Sequence, residues 1–181
     1  MQQKNEPQID TDVITPDGDL VRKHLSSRLS FSKEFLDFGI RAAETNDAAP
    51  LAQLMCELGY ETTKSEMEMR MERIADDERY RTFVAVRDGR VCGMIGTFTS
   101  LSYEHNDPGG RILALAIFST MRRRGIGRAL IASAEEDFAQ RGIRRVALNT
   151  QLAREDAHKF YESLGYERNG WRFVKQLPVS D

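Results

Sequence analysis

The chain has 181 residues, and 26 Lys+Arg against 28 Asp+Glu leave a formal net charge of −2, with 40% hydrophobic and 30% charged residues. Such a length supports one domain with a tail, and the composition excludes collagen-like, coiled-coil and wholly disordered chains. No apolar run approaches the roughly 18 residues of a membrane-spanning helix, and residues 1–6 lack the basic stretch and apolar core of a secretory leader, so a cytoplasmic protein without membrane contact is expected.

Residues 1–37 carry scattered charge, Pro7, Pro16 and Gly18 without sustained periodicity, and are expected to form a flexible extension ahead of a domain over 38–181. Leu29, Phe31, Phe35, Leu36 and Phe38 fit either a short helix packed on the domain or on a partner, or an ordered lead-in to the first strand. Residues 38–42 read as that strand. Asn46 or Asp47 can then cap a helix with Leu51, Leu54, Met55 and Leu58 on its apolar face, stopped by Gly59. Met67, Met71 and Ile74 at i, i+4 and i+7 predict a second helix whose methionines are core, not ligands.

Strand formers over 82–86 lead into Asp88-Gly89, a turn pair that tolerates positive φ, and then into a strand over 91–98. Residues 112–117 are apolar on both faces, which predicts a buried strand in mid-sheet. Ile126, Leu130, Ala134 and Phe138 recur every fourth residue and define a helix from near Gly125 to before Gly142. Residues 145–149 read as another strand. Ala157, Phe160, Tyr161 and Leu164 mark a helix ending at Gly165, and the alternation over 171–175 predicts a final strand. The order β-α-α-β-β-β-α-β-α-β(-β) is a mixed α/β sheet with no internal repeat.

Cys56 and Cys92 stand far apart without CxxC or Cys/His spacing, so neither a disulfide scaffold nor a metal site is expected, and both read as buried small apolar residues. The small net charge disfavours a general nucleic-acid binder. It nevertheless hides one dense basic cluster, Arg122, Arg123, Arg124 and Arg128, and an acidic region with Glu61, Glu66, Glu68 and Glu72.

The arginines belong to the run Arg122-Arg123-Arg124-Gly125-Ile126-Gly127-Arg128, placed between the buried strand and the most amphipathic helix. Backbone N–H groups at a helix start lack intrahelical partners and lie at the positive end of the dipole, so an anion is stabilised there, and glycines let it approach the main chain. The run has neither the Lys-Ser/Thr end of a P-loop nor GxGxxG spacing. A solvated basic turn remains the alternative to an anion site.

Arg122, Gly125 and Gly127 match the Arg/Gln-x-x-Gly-x-Gly/Ala signature, and Ala157, Phe160, Tyr161, Gly165 and Tyr166 match A-x-x-F-Y-x-x-x-G-F/Y. On these two motifs and the strand before them, residues 39–177 resemble the GNAT superfamily of N-acetyltransferases. The resemblance implies an α/β (α+β) fold: a mixed, mostly antiparallel central sheet with splayed parallel strands and flanking helices. It also implies acetyl-CoA as co-substrate, with pantetheine along Leu115, Ala116 and Ile117. The diphosphate would lie on backbone amides from Arg123 through Gly125, Ile126, Gly127 and Arg128 to Ala129, with charge from Arg122, Arg123, Arg124 and Arg128.

By the same resemblance, acetyl passes directly to an amine through a tetrahedral intermediate, the backbone N–H of Leu115 or a neighbour stabilises the oxyanion, and Tyr161 is the general acid. Glu104 and His105, in the loop before the strand, are the candidates for the base; Glu104 is carried forward. His158 is expected to face outward. Where many members have Asn ahead of the last helix, this chain has Arg154, and Asn149 is the substitute considered. Glu57, Tyr60, Glu61 and Glu66 would border an acceptor, most simply a small-molecule amine. Protein lysine or N-terminal acetylation and a non-catalytic acyl-CoA-binding module stay open, as does a homodimer, since many members pair through C-terminal strands.

Overall fold

The computed structural model describes residues 37–178, so the expectations for residues 1–36 lie outside the described residues. Asp88 (φ 48°) and Gly89 (φ 71°) both adopt the left-handed conformation, which follows the twist of paired strands. They join β2 (Tyr80–Arg87) to β3 (Arg90–Ser100). Both strands outrun their apolar stretches because pairing continues through polar positions such as Arg81↔Thr97. β1 (Gly39–Ala42) adds antiparallel to β2, β4 (Gly109–Ile117) adds antiparallel to β3, and β5 (Val146–Leu148) adds parallel to β4, in the order β1-β2-β3-β4-β5. The mixed, mostly antiparallel sheet is the expected one.

Four helices cover it: α1 (Ala48–Glu57), α2 (Lys64–Ala75), α3 (Ile126–Gln140) and α4 (Glu155–Glu162). α2 begins on a reciprocal cap, in which the Glu66 N–H donates to Thr63 Oγ1 and the Thr63 N–H donates to the Glu66 carboxylate. Asp47 precedes α1 as expected, but its carboxylate turns back. It accepts two hydrogen bonds from Arg41, at 2.7 and 2.8 Å, and one from the Glu44 N–H at 2.8 Å, closing a single 3₁₀ turn over Thr45–Asp47 ahead of the helix.

The sheet is packed on both faces. On one side Ile126, Leu130, Ile131, Ala134 and Phe138 of α3 meet Ala85, Cys92, Ile95 and Ile112; on the other, Leu51, Leu54 and Met67 of α1 and α2 meet Val84, Met94 and Ala116. Adjacent residues Val84/Ala85 and Met94/Ile95 go to opposite cores, as the period of a strand requires. Gly110 makes the α3 packing fit: a Cβ there would lie 2.8 Å from the Phe138 ring.

Three expectations are corrected. Cys92 is buried but Cys56 is exposed, because it lies off the face of α1 carrying Leu51 and Leu54. Residues 171–175 form no strand, and Trp171 and Phe173 are exposed; alternation marks an apolar face, but a strand also needs a ladder partner. β4 is an inner strand as expected, but residues 112–117 are not buried on both faces, since Leu113 is 52% exposed, for a reason found in the register of β4.

Candidate active site

Opposite β3, Leu115 pairs with Ile95 and Ala114 with Gly96, but Ile112 pairs with Thr97. Leu113 is therefore the extra residue of a β-bulge, a device that bends a strand and interrupts its ladder. The bulge also shifts the side-chain alternation. Ile112, Leu115 and Ile117 all pack toward the α3 core, whereas Ala114 and Ala116 face α1 and α2. On the other edge of β4, pairing with β5 stops at the same point, covering only Gly110↔Val146, Arg111↔Ala147 and Ile112↔Leu148. Among the described residues, no strand lies beside that edge from Leu113 to Ile117. The Ile117 carbonyl there accepts from Arg122; the other main-chain donors and acceptors on that edge require water or a ligand.

β4 runs into a 3₁₀ turn, Ser119–Met121, and then into the arginine run. Arg123 (φ 62°) and Gly125 (φ 81°) are both left-handed; for Arg123 this conformation costs about 1–3 kcal/mol. Gly125 is the N-cap of α3 and its carbonyl accepts the Ala129 N–H at 3.1 Å. The Ala129 amide is thus spent within the helix, and Ile126, Gly127 and Arg128 carry the outward donors of the first turn. A Cβ on Gly127 would stand 3.3 Å from Phe160 and 3.4 Å from Ile117. That contact joins the end of β4, the start of α3 and α4 at one place. All three motif segments identified in the sequence converge there.

The four arginines have different neighbours. Arg122 donates to the Glu57 carboxylate at 2.7 Å and to the Ile117 carbonyl at 3.2 Å. Arg123 lies 3.6 Å from Asp156 on open surface, and Arg128 donates to Ser163 Oγ at 3.4 Å. Arg124 is exposed. Glu57, expected to border an acceptor, has its carboxylate turned to the Ser119–Arg122 segment.

On α4, Tyr161 is half-buried between two edge-on rings, with centroids 5.2 Å from Phe160 and 5.8 Å from Tyr166. Burial raises its phenol pKa, with nearby Arg154 opposing, so the group is a neutral O–H throughout the neutral range. Tyr166 donates its own proton to Glu135 at 2.8 Å. Arg154 is the exposed N-cap of α4, and Asn149 is exposed just beyond β5. Beside it Thr150 has a buried hydroxyl with no hydrogen-bond partner among the described residues, a polar atom that sequence reading missed and that only the Asn149-Thr150 break after an apolar strand signals.

Glu104 and His105 lie on the exposed β3–β4 loop, where the Glu104 N–H donates to Ser102 Oγ. No described contact joins Glu104 to Tyr161. His158 is partly covered, its Nε2 lying 3.1 Å from the Gln151 carbonyl. Cys92 is buried, and burial pushes its thiol pKa up, the opposite of what activates a nucleophilic cysteine.

Residues 49–166 match the profile of the Acetyltransferase (GNAT) family. The chain belongs to that family. As a GNAT protein it is an acyltransferase, and it is 34% identical over 145 residues to the aminoalkylphosphonate N-acetyltransferase of Salmonella typhimurium, an alignment covering 76% of this chain and 90% of the relative. Among solved structures, a GNAT family acetyltransferase from Staphylococcus aureus superposes with a TM-score of 0.68 at 26% identity, covering 78% of this chain and all (100%) of the other. An aminoglycoside N-acetyltransferase in complex with CoA shares the fold, with a TM-score of 0.70 at 18% identity over 78% of this chain and 95% of its own. GNAT enzymes use acetyl-CoA. Among the described residues, no helix is long and apolar enough to cross a membrane.

Proposed function

We propose that this GNAT enzyme transfers acetyl from acetyl-CoA to the primary amine of a small molecule, and that its acceptors are aminoalkylphosphonates, the class in its relative's name. The observation that carries the donor half is the interrupted ladder: the open edge Leu113–Ile117 of β4 leads straight to the amide-rich start of α3. Pantetheine, itself a chain of amides, suits an unpaired strand edge. A diphosphate suits the amides of Ile126, Gly127 and Arg128, with Arg124 and Arg128 adding charge.

The amine nitrogen attacks the thioester carbonyl, forming the C–N bond, while the Leu115 N–H stabilises the oxyanion. Collapse breaks the C–S bond; Tyr161 gives its phenolic proton to the departing thiolate and regains one from the nitrogen, which sheds its second proton as it becomes the amide. Glu104, at the loop leading into β4, is the proposed acceptor of the proton that the ammonium must lose first. The transfer is direct, because Cys92 is buried with a raised pKa and exposed Cys56 stands only beside the Thr62 carbonyl.

For the acceptor, the α1–α2 loop offers exposed Tyr60 and Glu61 to a cationic amine, and Arg70, which donates to Thr62 Oγ1 at 3.1 Å, places a guanidinium beside the same loop for a phosphonate. Thiol release from acetyl-CoA with an aminoalkylphosphonate, its phosphonate-free amine, an aminoglycoside and a lysine peptide tests the reading. The highest kcat/KM belongs to the phosphonate. Equal rates without the phosphonate remove that part of the proposal, and absence of CoA binding by calorimetry removes all of it.

A further inference from the structure

We propose that Glu57 is a positioning residue for the diphosphate-binding turn, an inference that rests on the acetyl-CoA reading above. Its carboxylate leaves the last turn of α1 and accepts three hydrogen bonds from a segment more than 60 residues away: the Arg122 guanidinium at 2.7 Å, the Ser119 hydroxyl at 3.1 Å and the Ser119 N–H at 3.3 Å. The same guanidinium donates to the Ile117 carbonyl, the last residue of β4. One acid thus ties α1, the end of the open strand and the turn that opens α3.

An isolated surface ion pair contributes little. This contact differs in that the carboxylate holds both a backbone N–H and a guanidinium that is itself anchored to the main chain. The turn that follows is the one needing a brace, since Arg123 is held left-handed directly after Arg122. Such a conformation persists only where its surroundings over-determine it, and Glu57 fixes the residues on its N-terminal side. Two effects of removing the acid have opposite signs. Loss of a carboxylate near a phosphate site would tighten anion binding by charge alone, whereas loss of a brace loosens it.

Calorimetry with CoA and steady-state rates with two donors separate these signs. S-acetylpantetheine has the thioester and the amide arm but lacks the diphosphate, so a residue acting through the turn affects acetyl-CoA selectively. Glu57→Ala raises the Kd for CoA about tenfold, as expected for the loss of a charged hydrogen-bond network, and lowers the ratio of kcat/KM for acetyl-CoA over S-acetylpantetheine by a similar factor. Glu57→Gln, whose amide oxygen can still accept from Ser119, recovers part of both losses. If Glu57→Ala does not fold by circular dichroism, Glu57→Gln alone carries the test with the same direction. An unchanged or lower Kd, or a donor ratio equal to that of the unaltered chain, overturns the inference. Failure of the unaltered chain to bind CoA overturns the acetyl-CoA reading itself, which keeps the two failures distinguishable.

Discussion

The two halves of β4 are structurally opposite. Gly110–Ile112 is bonded to β3 on one edge and β5 on the other, whereas among the described residues Ala114–Ile117 keeps only β3 and Leu113, the bulge residue, pairs with neither. Gly110-Arg111-Ile112 carries one aliphatic residue where Leu113–Ile117 is wholly apolar, yet apolar content does not say which half is left open. The bulge at Leu113 and the end of pairing with β5 do. The first half closes the structure by satisfying its peptide groups within the sheet; the second leaves one edge of peptide groups for something outside the sheet to satisfy. The binding site proposed above arises from an incomplete ladder, with the complete ladder beside it as support.

Breaking the closed half should have the largest effect. Phe138 is 1% exposed and packs over Gly110, and Phe138→Ala should cost about 3–5 kcal/mol, read as a lower urea midpoint. Next is the chemistry beside the open half. Tyr161→Phe should reduce kcat about 10²-fold. Because burial raises the phenol pKa, the acid form persists through neutral pH and is lost only as pH rises through that raised value, so the alkaline limb of the kcat profile should disappear in the variant. Full kcat at every pH would remove the acid role.

A smaller change sharpens the open half at its proposed phosphate end. Gly125→Ala meets no neighbour within 4 Å but must hold φ 81°, costing about 1 kcal/mol of strain; calorimetry should show weaker CoA binding with the sheet intact. The smallest effect lies far from the strand. Hydrogen bonds from Arg41 hold the Asp47 carboxyl below its ordinary range, so its contribution to stability is present above the unfolded carboxyl pKa of about 3.9 and is lost as pH falls through the lowered native value. Asp47→Asn should cost about 1 kcal/mol at neutral pH, discounted for the partly exposed guanidinium, and flatten the acid limb of stability measured by denaturant.

Local chemistry made several elements legible. Asp88-Gly89 specified its hairpin because few residue pairs tolerate two positive φ angles, and the fourfold spacing from Ile126 to Phe138 specified α3 because a helix sets one face to the core. The glycine-containing turn was legible for the same kind of reason. The bulge was less so, although its trace is present: large residues stand together at Ile112-Leu113, then alternate with alanine through Ile117. That double step marks where the facing changes. Residues 171–175 show the converse failure, an alternation without a described strand to pair with. Glu57 had no local signature, since its partners lie across the fold.

The amino-acid sequence alone determined the family, the order of most elements and the motif segments, because turn chemistry and helical spacing act over a few residues. Only the tertiary structure decided where β4 lets go of β5, that Ile117, Gly127 and Phe160 meet, and that Glu57 reaches Arg122. Those are relations between segments distant along the chain, and they exist only once the sheet and its helices have packed.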